Sequence, residues 1–130
     1  MSYYSKEELS KYRLERARES IKEAKLLSGK GHWNTTASRL YYACFYAVSA
    51  YLIIKGIEAS THSGIKAAFN KELISTSKLP PSFGSLYNKL FNLRQDADYR
   101  DYRDLTEEDI GSLIQESEDL VIQIETIIEE

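Results

Sequence analysis

The sequence predicts an all-α protein, an up-and-down four-helix bundle with one additional short helix. Apolar residues recur at three- and four-residue spacing along nearly the whole chain, which indicates amphipathic helices. The only prolines are the adjacent pair Pro80 and Pro81, and no stretch alternates apolar and polar residues as a half-buried strand would. The 130 residues suit a single domain over residues 1–130 with one hydrophobic core.

The first helix has clear signals at both ends. Ser5 is predicted to be its N-cap, with Glu8 three residues later as the partner in a capping box. Gly29 and Gly31 are predicted to close it, because glycine readily adopts the left-handed conformation that ends many helices. Its apolar stripe comprises Leu9, Tyr12, Leu14, Ala17, Ile21 and Ala24.

The second helix is unusually apolar. Asn34 or Thr35 is predicted to cap it, and it should run to Gly56. Apolar residues occupy nearly all of its faces, so it should be buried on several sides. In a domain of this size, either it is the central helix of the bundle or a second subunit covers one face. Cys44, the single cysteine of the chain, is predicted to be a small core residue.

Three further helices complete the prediction. A short helix is expected over residues 61–74, after a loop. The fourth helix should open at Pro81 or Ser82, since proline is favoured in the first turn. Thr106 and Asp109, followed by an apolar stripe, form the N-terminal signature of the last helix.

Charge and composition narrow the classes of function. A net charge of −3 and a pI near 5.5 argue against a general basic nucleic-acid surface, although a small basic groove stays compatible with them. The N-terminus lacks the apolar segment of a signal peptide, and the apolar run 40–54 is shorter than a membrane span. We therefore expect a cytoplasmic protein without a membrane segment.

Motifs for metal or cofactor chemistry are not found. Neither His32 nor His62 has the spacing of a zinc site. Asp98, Asp101 and Asp104 lack the glycine and terminal glutamate of a calcium loop. No phosphate-binding glycine loop or nucleophile elbow occurs. We expect no metal and no cofactor.

A scattered polar set carries the remaining chemistry. Arg39 opens the buried second helix, His62 lies in the third, and Arg94 and Asp98 share one face of the fourth. One interpretation is that these residues form interhelical ion pairs and caps. The other is a polar cleft in which arginine binds phosphate while tyrosines stack or donate hydrogen bonds.

Two segments carry a family resemblance. "SRLYYACFYAVSAYLIIKGIEASTHSGIKAAFNKELI" and the later "LPPSFGSLYNKLFNLRQDADYRDY" resemble the small stand-alone HEPN-domain proteins of bacteria and archaea. The match covers roughly residues 37–102, and the flanking amphipathic helices suit the same HEPN-like fold. The resemblance implies a homodimer, often encoded beside a minimal nucleotidyltransferase.

The resemblance also implies a kind of chemistry. Many HEPN proteins are toxins that cut RNA without a metal through an Arg-x4-6-His motif, and in some pairs the nucleotidyltransferase adds AMP to a nearby tyrosine. Arg94 matches the motif arginine, but the chain has Tyr99 at the first position where the histidine is expected. Tyrosine, with an ordinary pKa near 10, is a poor base at neutral pH. Both histidines precede Arg94 in the chain.

Two classes of function follow. The first is a non-catalytic dimer that binds nucleotide, RNA or a nucleotidyltransferase in a toxin–antitoxin-like pair. The second is a divergent metal-independent ribonuclease toxin, in which Arg94 acts with His62 or Tyr99. A purely structural role for the polar set is the third possibility. The candidate ligand-binding residues are Arg39, Tyr42, His62, Arg94, Asp98, Tyr99 and Tyr102, and the candidate catalytic residues are Arg94, Tyr99 and His62.

Overall fold

The computed structural model describes residues 5–99 and 104–130, with the side chains of residues 96–99 excepted. Over these residues the fold is all-α, which confirms the predicted class. The helices are α1 (Lys6–Gly29), α2 (Trp33–Ile54), α3 (His62–Phe69), α4 (Pro81–Tyr99), α5 (Glu107–Ile110) and α6 (Leu113–Glu129), and a single π-helical turn (Asn70–Ile74) extends α3.

The central helix of the bundle is α2, which packs against α1, α4 and α6. By length and composition α2 could cross a membrane, but 67% of its most apolar stretch is buried inside the protein, as in the core helix of a bundle. Three of its half-buried aromatic side chains, Tyr42, Phe45 and Tyr46, pack at the edge of the core. The predicted central position is therefore confirmed, and this aromatic edge holds the candidate site.

The ends of α1 follow the local sequence signals. The Ser5 hydroxyl accepts a hydrogen bond from the Glu8 N–H at 3.1 Å, as predicted for the N-cap. The helix ends at Gly29, and Gly31 adopts a φ of +76°. This left-handed conformation is one that glycine adopts without steric cost.

The predicted cap of α2 is wrong. The helix begins at Trp33 with His32 as N-cap, so Asn34 and Thr35 both lie inside the first turn. The Asn34 side chain instead accepts a hydrogen bond from the Leu105 N–H at 2.7 Å. Asn34 therefore anchors the segment that precedes α5.

The last predicted helix is divided in two. Thr106 caps α5, where its N–H donates to the Asp109 carboxylate at 2.9 Å, and α6 starts only after Gly111 and Ser112. Glycine and serine are weak helix formers, and such a pair is a common site of helix kinks. The division lets α6 take its own direction along the core.

Cys44 is fully buried in the core, as predicted. Burial raises the pKa of its thiol to about 12. Because the thiolate is the reactive form of cysteine, Cys44 is inert in the folded protein.

Candidate functional site

The candidate site lies where α3 and α4 meet the aromatic edge of α2. Arg94 from α4 and His62 from α3 approach the adjacent rings of Tyr41 and Tyr42. Arg39, one turn earlier on α2, lies over the Tyr42 ring of this group. Four of the residues proposed from the sequence (Arg39, Tyr42, His62 and Arg94) thus come together in space.

Arg94 is almost completely enclosed, with 7% of its surface exposed. Its guanidinium carbon lies 5.3 Å from the ring centre of Tyr41 and 5.6 Å from that of Tyr42, within the range of cation–π attraction. Nη2 of Arg94 donates a hydrogen bond to the Tyr42 hydroxyl at 3.2 Å. These contacts hold a positive charge in a fixed position at the edge of the core.

His62 is joined to the same group through Tyr41. The Tyr41 hydroxyl lies 2.7 Å from Nδ1 of His62, and the Phe45 ring packs 4.8 Å from the imidazole, centre to centre. Burial, followed by the nearby charge of Arg94, lowers the pKa of His62 below its ordinary value of 6.5. His62 is therefore a neutral imidazole at physiological pH.

The Tyr41 hydroxyl does not readily lose its proton. It is fully buried, and this burial raises the pKa of its hydroxyl to about 12. Tyr41 therefore keeps its proton at neutral pH and serves as a neutral hydrogen-bonding group between the core and His62.

Arg39 has a different role from Arg94. Its guanidinium carbon lies 5.3 Å from the ring centre of Tyr42, and Nη1 is 3.6 Å from Oε1 of Glu23 on α1. This is the interhelical ion pair that one interpretation of the sequence predicted. With 30% of its side chain exposed, Arg39 also presents positive charge to solvent beside Tyr42.

The other candidates fall outside the part of the chain whose side chains the structure describes. Asp98 and Tyr99 are in the last turn of α4, where only the backbone is described, and Tyr102 lies between the described ranges. Their proposed roles stay predictions.

Tyr41 is the site residue that the sequence analysis did not select. It belongs to the highly apolar second helix and is fully buried in the core. A buried tyrosine hydroxyl usually has a hydrogen-bond partner, however, and this rule could have indicated that Tyr41 contacts another polar residue.

Within the described ranges, no group of three or more His, Cys, Asp or Glu side chains is arranged to hold a metal ion.

Comparison of the sequence with known proteins identifies the family to which the chain belongs. The chain matches the family described as HEPN domain over residues 10–126. A UPF0332 protein of Thermotoga maritima is 39% identical over 125 residues, which cover 96% of this chain and 95% of that protein.

Two similar proteins come from Methanocaldococcus jannaschii, and each carries the name "putative toxin". One is 37% identical over 94 residues, covering 72% of this chain and 63% of that protein. The other is 30% identical over 117 residues, covering 90% of this chain and 87% of that protein.

Proposed function

Because the chain belongs to the HEPN domain family, we propose that it is a non-catalytic binding module that works as a dimer with a minimal nucleotidyltransferase. The pair resembles a toxin–antitoxin system and acts in the cytoplasm. The binding surface consists of the aromatic and basic group on α2, α3 and α4. Its described members are Arg39, Tyr42, His62 and Arg94, and Asp98, Tyr99 and Tyr102 complete it.

The enclosure of Arg94 is the observation that carries this proposal. Arg94, which is 7% exposed and contacts a tyrosine hydroxyl and two rings, is suited to orienting Tyr42, the ring that Arg39 also contacts. A ribonuclease needs its arginine to reach the charge that develops on a scissile phosphate. Arg94 has little surface for that contact, whereas Arg39 and Tyr42 offer phosphate-binding and stacking groups to solvent.

The hydrogen bond of His62 also supports a binding role over a catalytic one. When the Tyr41 hydroxyl donates to Nδ1, the neutral imidazole carries its proton on Nε2. His62 is then a hydrogen-bond donor at its outer nitrogen, which suits a phosphate or carbonyl acceptor. A general base would need that nitrogen unprotonated.

One observation favours the alternative, a divergent metal-independent ribonuclease toxin. The structure brings a neutral histidine beside the motif arginine, although the two are far apart in the chain. In such an enzyme His62 would take the proton of a ribose 2′-hydroxyl, and Arg94 would stabilise the charge on the phosphate. Tyr99 is the other candidate partner of Arg94. Two relatives whose names include the word toxin are consistent with this activity.

A cleavage assay separates the two functions. The purified full-length chain is incubated with total RNA in the presence of EDTA, and growth of an expression host is followed after induction. We expect intact RNA and normal growth. Cleavage that persists in EDTA and disappears in both His62→Gln and Arg94→Lys would replace the binding module with the ribonuclease.

A co-purification assay tests the binding surface directly. The tagged chain is expressed with the nucleotidyltransferase encoded beside it, and the complex is sized by light scattering. We expect a complex built on a dimer, weakened by Arg39→Gln and by Arg94→Lys. Arg18→Gln is the matched control, because Arg18 is an exposed arginine of α1 that pairs with Glu125. A monomer, or binding that both site variants leave unchanged, would contradict the proposal.

A further inference from the structure

A cavity lined in part by Phe45 lies next to α2. It has a volume of about 360 Å³ and is bounded by α1, α2, the connection that follows α2, and α3. This volume lies within the range of roughly 300–1,000 Å³ that is typical of small-molecule sites. The walls are mostly apolar and include Leu9, Phe45, Leu52, Ile53, Ile57 and Ile65.

Ser49 supplies a hydroxyl to this apolar cavity. The residue is 6% exposed, and its Oγ has no hydrogen-bond partner among the described residues. A serine inside a helix commonly satisfies its hydroxyl on the carbonyl one turn earlier, but Ser49 does not. Leaving a buried hydroxyl without a partner is unfavourable, so Ser49 is an unsatisfied donor in the lining of the cavity.

Arg13 supplies a positive charge to the same cavity. Its Nε is buried and has no hydrogen-bond partner among the described residues. No described carboxylate pairs with Arg13, in contrast to Arg16 one turn later, which pairs with Glu19 at 3.1 Å. The guanidinium carbon of Arg13 lies 5.8 Å from the ring centre of Tyr46. Arg13 therefore brings a positive charge and unused hydrogen-bonding capacity to the lining of the cavity.

We propose that this cavity binds a small amphiphilic carboxylate. The carboxylate accepts hydrogen bonds from the Arg13 guanidinium and the Ser49 hydroxyl, and the apolar body of the ligand fills the space between Leu9, Leu52 and Ile65. Guanidinium and carboxylate are complementary in shape as well as in charge. A single cation among apolar walls suits a monoanion with an aliphatic or aromatic body.

Other classes of ligand fit these walls less well. A cationic ligand would be repelled by Arg13, and a neutral hydrocarbon would leave both Arg13 and Ser49 without partners. A phosphate dianion would bury more charge than one guanidinium neutralises. The cavity shares the Phe45 ring with the group around Arg94 but none of its candidate binding residues, so this inference does not rest on the proposed nucleotidyltransferase partner.

Titration with sodium octanoate tests the proposal. Isothermal titration calorimetry of the full-length protein should show saturable binding of one octanoate per chain. Arg13→Gln should weaken binding at least about tenfold, because a charge-assisted pair is lost, and Ser49→Ala should weaken it about fivefold, because one neutral hydrogen bond is lost. Arg16→Gln is the matched control and should bind octanoate as the wild type does.

A second ligand and a second variant complete the experiment. 1-Octanol has the same apolar body without the charge, and we expect it to bind much more weakly than octanoate. Ser49→Leu should fill the cavity and abolish binding while the circular dichroism spectrum keeps its helical form, which tests the site even if Arg13→Gln fails to fold.

Three outcomes would overturn the proposal. The first is the absence of octanoate binding to the wild type, and the second is equal affinity for octanol and octanoate. The third is a cavity filled by a second copy of the chain. In that case Ser49→Leu would dissociate the dimer, and octanoate would give no binding heat.

Discussion

The hydroxyl oxygen of Tyr41 lies 2.7 Å from Nδ1 of His62, so the core of α2 is hydrogen-bonded to the first residue of α3. Tyr41 is fully buried, and it also lies beneath the Arg94 guanidinium. This contact sets the position of His62 relative to Arg94, although the two residues belong to different helices.

Removing that hydroxyl should destabilise the protein. Tyr41→Phe keeps the ring in the core but loses the hydrogen bond, so the free energy of unfolding in urea should fall by about 0.5–1.5 kcal/mol. Tyr12→Phe is the control, because Tyr12 is 55% exposed, and its unfolding curve should match that of the wild type. Equal stability of wild type and Tyr41→Phe would mean that the hydrogen bond adds nothing net to folding.

The titration of His62 should make stability depend on pH. Its pKa in the folded protein lies below 6.5 because of burial and the charge of Arg94, so the unfolded chain takes up the proton more readily. The free energy of unfolding should therefore decrease as pH falls from above 6.5 toward the lowered pKa, with no further change from His62 below it. His62→Gln should lose this part of the pH dependence.

Nuclear magnetic resonance can measure the pKa of His62 directly. Arg94→Gln removes the second cause of the shift, and the pKa of His62 should rise toward its ordinary value. Arg18→Gln changes an arginine that pairs with Glu125 and is not among the causes of the His62 shift, so it should leave this pKa unchanged. An identical pKa in wild type and Arg94→Gln would assign the whole shift to burial.

Asn34 should stabilise the segment before α5. Its Oδ1 accepts a hydrogen bond from the Leu105 N–H, and Leu105 is 5% exposed. Asn34→Ala leaves this buried N–H without that acceptor, so stability should fall by about 1–3 kcal/mol. The Leu105 amide should also exchange its hydrogen faster.

Two matched variants check the role of Asn34. Asn34→Asp keeps an acceptor oxygen and should retain most of the protection of the Leu105 amide. Thr35→Ala changes the exposed neighbour in the same turn and should have little effect on that amide. Slow exchange of Leu105 in Asn34→Ala would show that another group satisfies this N–H.

Local signals predicted most of the helix boundaries, because capping acts over three or four residues. Ser5 caps α1, Thr61 caps α3 through the Gly64 N–H, and Pro81 opens α4. Asn34 was misassigned because its partner, Leu105, is 71 residues away in the chain. A polar side chain near a helix start looks the same in sequence whether it caps the helix or contacts a distant segment.

The candidate site was only partly predictable for the same reason. Arg39 was selected because a charge beside a buried helix needs a partner, and Arg94 because it matches the motif arginine of the family resemblance. Tyr41 was not selected, because its bond to His62 depends on how the connection after α2 folds back. The cavity at Ser49 and Arg13 had no signal in the sequence, since a cavity is created by packing.

Because Cys44 is buried, the reactivity of its thiol can be used to measure how often the core of the protein opens. Cys44 is the single cysteine of the chain, is fully enclosed, and has its pKa raised to about 12. A thiol reagent can therefore modify it only in molecules whose core has opened. The rate of labelling, compared with that of the unfolded chain, measures the free energy of that opening in native buffer without any added probe.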